Sequence, residues 1–159
     1  MDVATDISIY SVKVMAHLYG NLRVENSVVL DLGASIGDSI YYFLTRGASR
    51  IIAFEADPVR HARLQAYVQG DYRVEIHREY RGEIIMADVM KMDIEGSERD
   101  YLTEELLVSY PQWTVGLHPM FMKYERFLLL EEMLKRHGAY YLGGDGPFER
   151  VYSSNPPLP

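Results

Sequence analysis

The chain has 159 residues, of which 48% are hydrophobic, 25% charged and 12% aromatic, an ordinary composition for one globular domain whose core needs no metal or disulfide to hold it. It contains no cysteine, which excludes zinc ribbons, iron–sulfur clusters, thiol catalysis and disulfide scaffolds. Sixteen Lys plus Arg against 23 Asp plus Glu leave a net charge of −7, so a polyanion is repelled at long range, and neither nucleic acid nor an anionic membrane is expected as a partner.

No apolar run approaches the ~18–20 residues that cross a bilayer. Residues 1–6 lack the basic region and apolar core of a signal peptide, so a cytoplasmic protein is expected. Residues 1–24 read as an N-terminal helical segment, with Ile7, Val12, Met15 and Leu18 on one face. Residues 25–153 read as one domain and 154–159 as a Pro-rich tail, lying on the surface or frayed.

Val28-Val29-Leu30-Asp31-Leu32 is the first predicted strand, continuously apolar as a strand covered on both faces should be. A turn over residues 33–37 follows, then a helix through Ile40, Phe43 and Leu44, capped by Asp38 and stopped by Gly47. Residues 51–55 are the second strand. Asp57 caps the next helix with Pro58 at its first position, and that helix runs to about Val68. Residues 73–79 alternate weakly as a third strand and 89–93 form a fourth. Only about ten residues separate these two, too few for a full helix. A helix is expected over 97–109, a fifth strand over 113–118 and a long helix over 121–136. Residues 140–142 and 148–152, joined by the Gly-rich turn 143–146, read as antiparallel neighbours. The alternation argues for an α/β fold, largely parallel, with one reversed strand at or near its edge.

In such a sheet ligands bind at the carboxyl ends of the strands, where strand order reverses. That places Asp31-Leu32-Gly33-Ala34-Ser35-Ile36-Gly37-Asp38 in the expected site. Gly33 and Gly37 let the chain turn sharply and a ligand approach closely, although a plain tight turn explains two glycines as well. The spacing fits neither the dinucleotide fingerprint nor a phosphate loop. Glu55, ending the second strand 24 positions after Asp31, can accept hydrogen bonds from both hydroxyls of a ribose. With no basic phosphate contact, the implied ligand is a nucleoside without pyrophosphate. S-adenosylmethionine fits, its positive sulfonium and amino groups suiting an acidic pocket. A nicotinamide dinucleotide is the weaker reading.

Residues 29–38 together with Ile52-Ala53-Phe54-Glu55-Ala56-Asp57-Pro58 resemble the class I S-adenosylmethionine-dependent methyltransferases. Met90-Lys91-Met92-Asp93-Ile94-Glu95-Gly96-Ser97-Glu98 is similar to the Lys-Ile-Asp-Ile-Glu-Gly-Ala-Glu signature of the FkbM-type family, and Val115-Gly116-Leu117-His118 to its later strand ending in histidine. Glu55-Ala56-Asp57-Pro58 departs from that family's usual Glu-Pro-Asn-Pro. The resemblance covers roughly residues 27–120. It implies a Rossmann-like seven-stranded sheet, mostly parallel with an antiparallel C-terminal hairpin and helices on both faces. It also implies O-methylation of a small-molecule or sugar-like acceptor and no required metal.

The cofactor residues expected are Asp31, Gly33, Ala34, Ser35, Gly37, Glu55 and Ala56. Asp31 would orient the turn or meet the amino group, and Glu55 would hold the ribose. The candidate catalytic residues are His118, as a base because neutral imidazole exists near pH 7, with Asp93 or Glu95 orienting it or the acceptor. The plainer alternative makes the two acids helix caps and His118 a satisfied core histidine. Asp93, Glu95, Glu98 and His118 could also hold Mg²⁺ or Mn²⁺ by ligand type, although no metal is the expectation. Asn155-Pro156-Pro157 looks like an amino-methyltransferase motif but is out of position. A non-catalytic domain of the same fold, binding cofactor or a partner, is the alternative function, and the open acceptor side admits a homo-oligomer or a partner subunit.

Overall fold

The computed structural model describes residues 9–144 and 146–157. In chain order the elements are α1 (Ile9–Tyr19), β1 (Val28–Leu32), α2 (Asp38–Thr45), β2 (Arg50–Phe54), α3 (Pro58–Val68), β3 (Val74–His77), β4 (Val89–Met92), α4 (Glu98–Tyr101), α5 (Glu104–Val108), β5 (Gln112–Leu117), a 3-10 turn (Pro119–Phe121), α6 (Tyr124–Arg136), β6 (Tyr140–Gly143) and β7 (Arg150–Ser153). The seven strands form one sheet in the order β3-β2-β1-β4-β5-β7-β6. Every neighbouring pair is parallel except β5–β7 and β6–β7, so β7 is the reversed strand, one place in from the edge.

Side chains alternate across a strand, and β1 divides its residues accordingly. Leu30 and Leu32 enter a core with Met90, Met92, Trp113 and Phe127, beneath α5 and α6. Val29 enters the opposite core with Phe43, Ile51 and Leu64, beneath α2 and α3. Tyr19 and Leu22 join that second core, the Tyr19 ring lying 5.7 Å from Phe43, so the N-terminal helix closes this face. Of its expected apolar face, Met15 and Leu18 pack there and Val12 is exposed; Ile7 lies outside the described residues.

Several local readings change. Asp38 does not cap α2: Gly37 holds the cap position with φ +107° and Asp38 is the first helical residue. The helix expected over 97–109 breaks into α4 and α5, because Leu102 is extended and buried while the Thr103 hydroxyl caps a new start by accepting from Leu106 N. The helix expected from 121 starts at Tyr124, after the turn that Pro119 begins. Asp57 with Pro58 behaves as expected, its Oδ1 accepting from Val59 N and Arg60 N at 2.9 and 2.8 Å. Between β3 and β4 the chain carries no helix. Asn155 is stitched to the body: its Nδ2 donates to Asn21 O and Gln112 Oε1, and its carbonyl accepts from Asn21 Nδ2. Among the described residues no helix is long and apolar enough to cross a membrane.

Candidate functional site

The loops following β1, β2, β3 and β4 meet at the carboxyl ends of their strands, where strand order reverses between β1 and β4. The turn after β1 is laid across the end of β2: Gly33 N and Ala34 N both donate to Phe54 O, at 2.9 and 3.0 Å. Gly33 has φ +86°, and a Cβ there would stand 1.8 Å from the backbone oxygen of Asp93. The β1 and β4 loops are therefore in backbone contact, which only glycine permits. Ser35 N then donates to Glu55 Oε2 at 2.8 Å.

Glu55 follows β2 directly and is 6% exposed. Its second oxygen, Oε1, accepts from Asp57 N at 2.8 Å. Two loops thus fix the carboxylate, while each oxygen keeps an accepting direction for another donor. The crevice above it has a volume of about 670 Å³, within the range of small-molecule sites. Gly33, Ala34, Ser35, Glu55 and Ala56 all line it, as do Asp38, Phe54, Tyr80, Asp93 and Glu95. One wall is aromatic: the Tyr80 ring packs edge-on against Phe54 and against Tyr101, each at 5.4 Å.

Asp31 and Gly37 do not reach the crevice wall. A Cβ on Gly37 would meet the Tyr67 ring at 2.6 Å, so this glycine serves helix packing. Asp31 is fully buried behind the turn. One oxygen accepts from Ser39 Oγ at 2.5 Å and the other lies 3.0 Å from Lys91 Nζ. Lys91 also donates to Gly33 O at 2.6 Å. Burial alone would push the ammonium toward neutrality, but Asp31, with Asp93 and Glu55, holds it charged and above the ordinary lysine value. The expected meeting of Asp31 with a ligand amino group is thereby taken over by Lys91. Sequence reading missed Lys91 although it sits opposite Asp31 in the β1–β4 register. It also missed Asp38 as a lining residue. Asp38 Oδ1 is buried with no hydrogen-bond partner among the described residues, and burial raises its carboxyl pKa.

At the ends of β4 and β5 the expected acidic cluster divides. Glu95, with φ +51°, turns to Arg60 in a bidentate pair of 2.7 and 3.1 Å, which holds its carboxyl below the usual range. Glu98 is fully buried, accepting from Ile94 N at 2.8 Å and Gly96 N at 2.9 Å. Its Oε1 lies 3.1 Å from His118 Nδ1, and His118 Nε2 lies 3.5 Å from Asp93 Oδ1. Glu149, just before β7, brings a third carboxylate to this histidine. Burial disfavours the imidazolium, but Glu98, with Asp93 and Glu149, outweighs it and raises the His118 pKa. That direction opposes a neutral base at pH 7. His118 is also not among the residues lining the crevice, whereas Asp93 is.

No protein-family model matches the chain. It is 35% identical over 105 residues to uncharacterized protein 65 of a Sulfolobus islandicus filamentous virus (isolate Iceland/Hveragerdi), a match covering 64% of this chain and 66% of that protein. Over 105 residues it is 29% identical to uncharacterized protein 158B of Sulfolobus islandicus rod-shaped virus 1, covering 63% and 66%. The chain thus spans just under two thirds of these relatives. Among solved structures, Aeropyrum pernix fibrillarin in complex with natively bound S-adenosyl-L-methionine superposes with a TM-score of 0.63 at 14% identity, over 90% of this chain and 75% of that one. The fibrillarin pre-rRNA processing protein of Methanococcus jannaschii gives 0.64 at 14%, over 90% and 74%. P. horikoshii TYW2 in complex with MeSAdo gives 0.60 at 20%, over 96% and 65%. The fold is the Rossmann-like class I methyltransferase fold, as the sequence implied. A pre-rRNA processing protein among its neighbours leaves the exclusion of nucleic acid, drawn from net charge, without support.

Proposed function

We propose that the chain is an S-adenosylmethionine-dependent methyltransferase acting on a hydroxyl oxygen of a small-molecule or sugar-like acceptor. The observation that carries this reading is the shared wall of Gly33, Ser35 and Glu55: the glycine turn and the acidic strand end face one crevice and are hydrogen-bonded to each other. In that crevice Glu55 has accepting directions left for two ribose hydroxyls. Phe54 and Tyr80 offer apolar ring surface for the base. Asp38, with its unpartnered Oδ1, suits the ammonium of the amino acid end. The structures with bound S-adenosyl-L-methionine or MeSAdo share this fold, and the FkbM-like run 90–98 favours oxygen as the acceptor atom.

When bound, the cofactor would supply an electrophilic methyl carbon on sulfonium, held by Glu55 at the ribose and by the turn of Gly33 and Ser35 beside it. The residues contribute alignment above all. Asp93 is the carboxylate on the crevice wall nearest the β4–β5 end, placed to orient the acceptor hydroxyl and take its proton. His118 and Glu98 hold that loop in place. Glu95 helps to close the rim through Arg60.

The test is incubation with methyl-labelled cofactor and a native metabolite extract, followed by mass spectrometry, with total RNA in a parallel arm. A labelled small molecule carrying an O-methyl group is expected. Label only in RNA would replace the acceptor class. Nucleoside binding without transfer to any acceptor would favour a non-catalytic module, a reading supported by the bare β3–β4 connection.

A further inference from the structure

The cluster at the ends of β4, β5 and β7 has a geometry that hydrogen bonding alone does not explain. One ligand atom each from Asp93, His118 and Glu149 lies within 4.8 Å of the other two. Asp93 Oδ1 and His118 Nε2 are 3.5 Å apart, too far for a strong hydrogen bond. Two donors held about 2.0–2.2 Å from a tetrahedral cation would lie ~3.3–3.6 Å apart. We propose that Asp93, His118 and Glu149 form a site for a divalent transition-metal cation of the Mn²⁺ or Zn²⁺ kind.

Three further observations support it. First, the buried Glu98, locked by the amides of Ile94 and Gly96, faces His118 Nδ1. By accepting from Nδ1 it would leave Nε2, once a cation displaced the proton there, facing Asp93 and Glu149, the carboxylate–histidine arrangement that backs metal-ligating imidazoles. The other Asp93 oxygen, Oδ2, accepts from Tyr19 at 3.4 Å, which orients that carboxylate as well. Second, the floor of the cluster is Gly116. A Cβ there would stand 2.8 Å from Glu149 Oε1 and 3.5 Å from Asp93 Oδ1, so a side chain would fill the space between the ligands. Third, Glu149 is half-buried and accepts no hydrogen bond from another described residue, yet stands beside a second carboxylate. A cation relieves that repulsion, and the imidazole ligand favours a transition metal over Mg²⁺.

The ligand set differs from the one that spacing suggested: Glu95 has turned to Arg60, Glu98 stands behind the imidazole, and Glu149 enters from the far end of the chain. Three protein ligands leave positions open. Because Asp93 also lines the crevice, an acceptor hydroxyl could bind the cation and ionise there to solvent, Asp93 then holding the cation instead of taking the proton. That consequence rests on the methyltransferase reading; the cation site does not.

The experiment is calorimetric titration of MnCl₂ and of ZnCl₂ into the chelator-stripped full chain without any nucleoside, with Mn²⁺ electron paramagnetic resonance counting bound ions. One equivalent is expected, weakened about tenfold or more in Glu149→Gln and in Gly116→Ala, with far-UV circular dichroism unchanged in Glu149→Gln. No saturable binding by the wild-type chain, or equal affinity in Glu149→Gln, would overturn the site. Cation binding in a chain that binds no S-adenosylhomocysteine would uphold it and instead sink the methyltransferase reading.

Discussion

Lys91 is the residue whose removal should be felt most widely. Its ammonium lies 3.0 Å from a fully buried Asp31 carboxylate and donates to Gly33 O at 2.6 Å. Lys91→Met keeps the bulk of the side chain but leaves the enclosed Asp31 carboxyl with Ser39 as its remaining side-chain hydrogen-bond partner among the described residues. Breaking a buried pair from one side costs about 3–5 kcal/mol. At ~2–4 °C per kcal/mol for a domain of this size, the melting temperature should fall by roughly 6–20 °C. Thermal and urea unfolding followed by circular dichroism would measure it. The double variant Asp31→Leu/Lys91→Met should recover much of the loss, since an apolar pair can replace an ion pair at little cost. A single variant within about 1 kcal/mol of wild type would refute this, because the Asp31 carboxyl would then not depend on Lys91.

Gly33→Ala should cost roughly 2–5 kcal/mol, combining a strained positive φ with overpacking against Asp93 O. Gly70→Ala has nearly the same φ, +87°, but open space around its Cβ, and should cost only the backbone strain of about 1–2 kcal/mol; equal losses in urea unfolding would remove the proposed loop contact. Glu131 ties α6 to β7: burial opposes its ionisation, but hydrogen bonds from Lys135, Tyr152 and Arg150 hold its pKa below the usual value. Since the folded pKa is the lower one, this stabilisation is present above the unfolded value of about 4.3 and fades as pH falls through the folded one. Urea midpoints from pH 7 to 3 should show wild type and Glu131→Gln converging in acid, and a constant gap would contradict the linkage.

The strands and the reversed strand near the edge were legible because both faces of the parallel strands are covered, which writes apolar runs such as 28–32 and 89–92, each broken by one charged residue. The Asp57-Pro58 start was legible because the cap and the missing amide act within four residues. What escaped depends on contacts distant in sequence. Asp38 has the residue type of a cap, but Gly37 occupies the left-handed cap position, which chain spacing alone does not decide. Leu102 breaks a helix because a core needs it extended. Lys91 reads as a polar interruption of a strand until β1 is set beside β4 in register and Asp31 falls opposite. Glu149 follows a Gly-rich turn with no motif around it, and only the reversed β7 carries it to Asp93 and His118. The base role expected for His118 rested on the pKa of a free imidazole, and three converging carboxylates change that.

The most direct measurement is isothermal titration of S-adenosylhomocysteine into the wild-type chain and into Glu55→Gln and Glu55→Ala. Saturable one-to-one binding is expected, weakened by about 1–3 kcal/mol, or roughly 5–150-fold, once the ribose loses its carboxylate acceptor. An inert wild-type chain, or affinities unchanged across the three proteins, would contradict it.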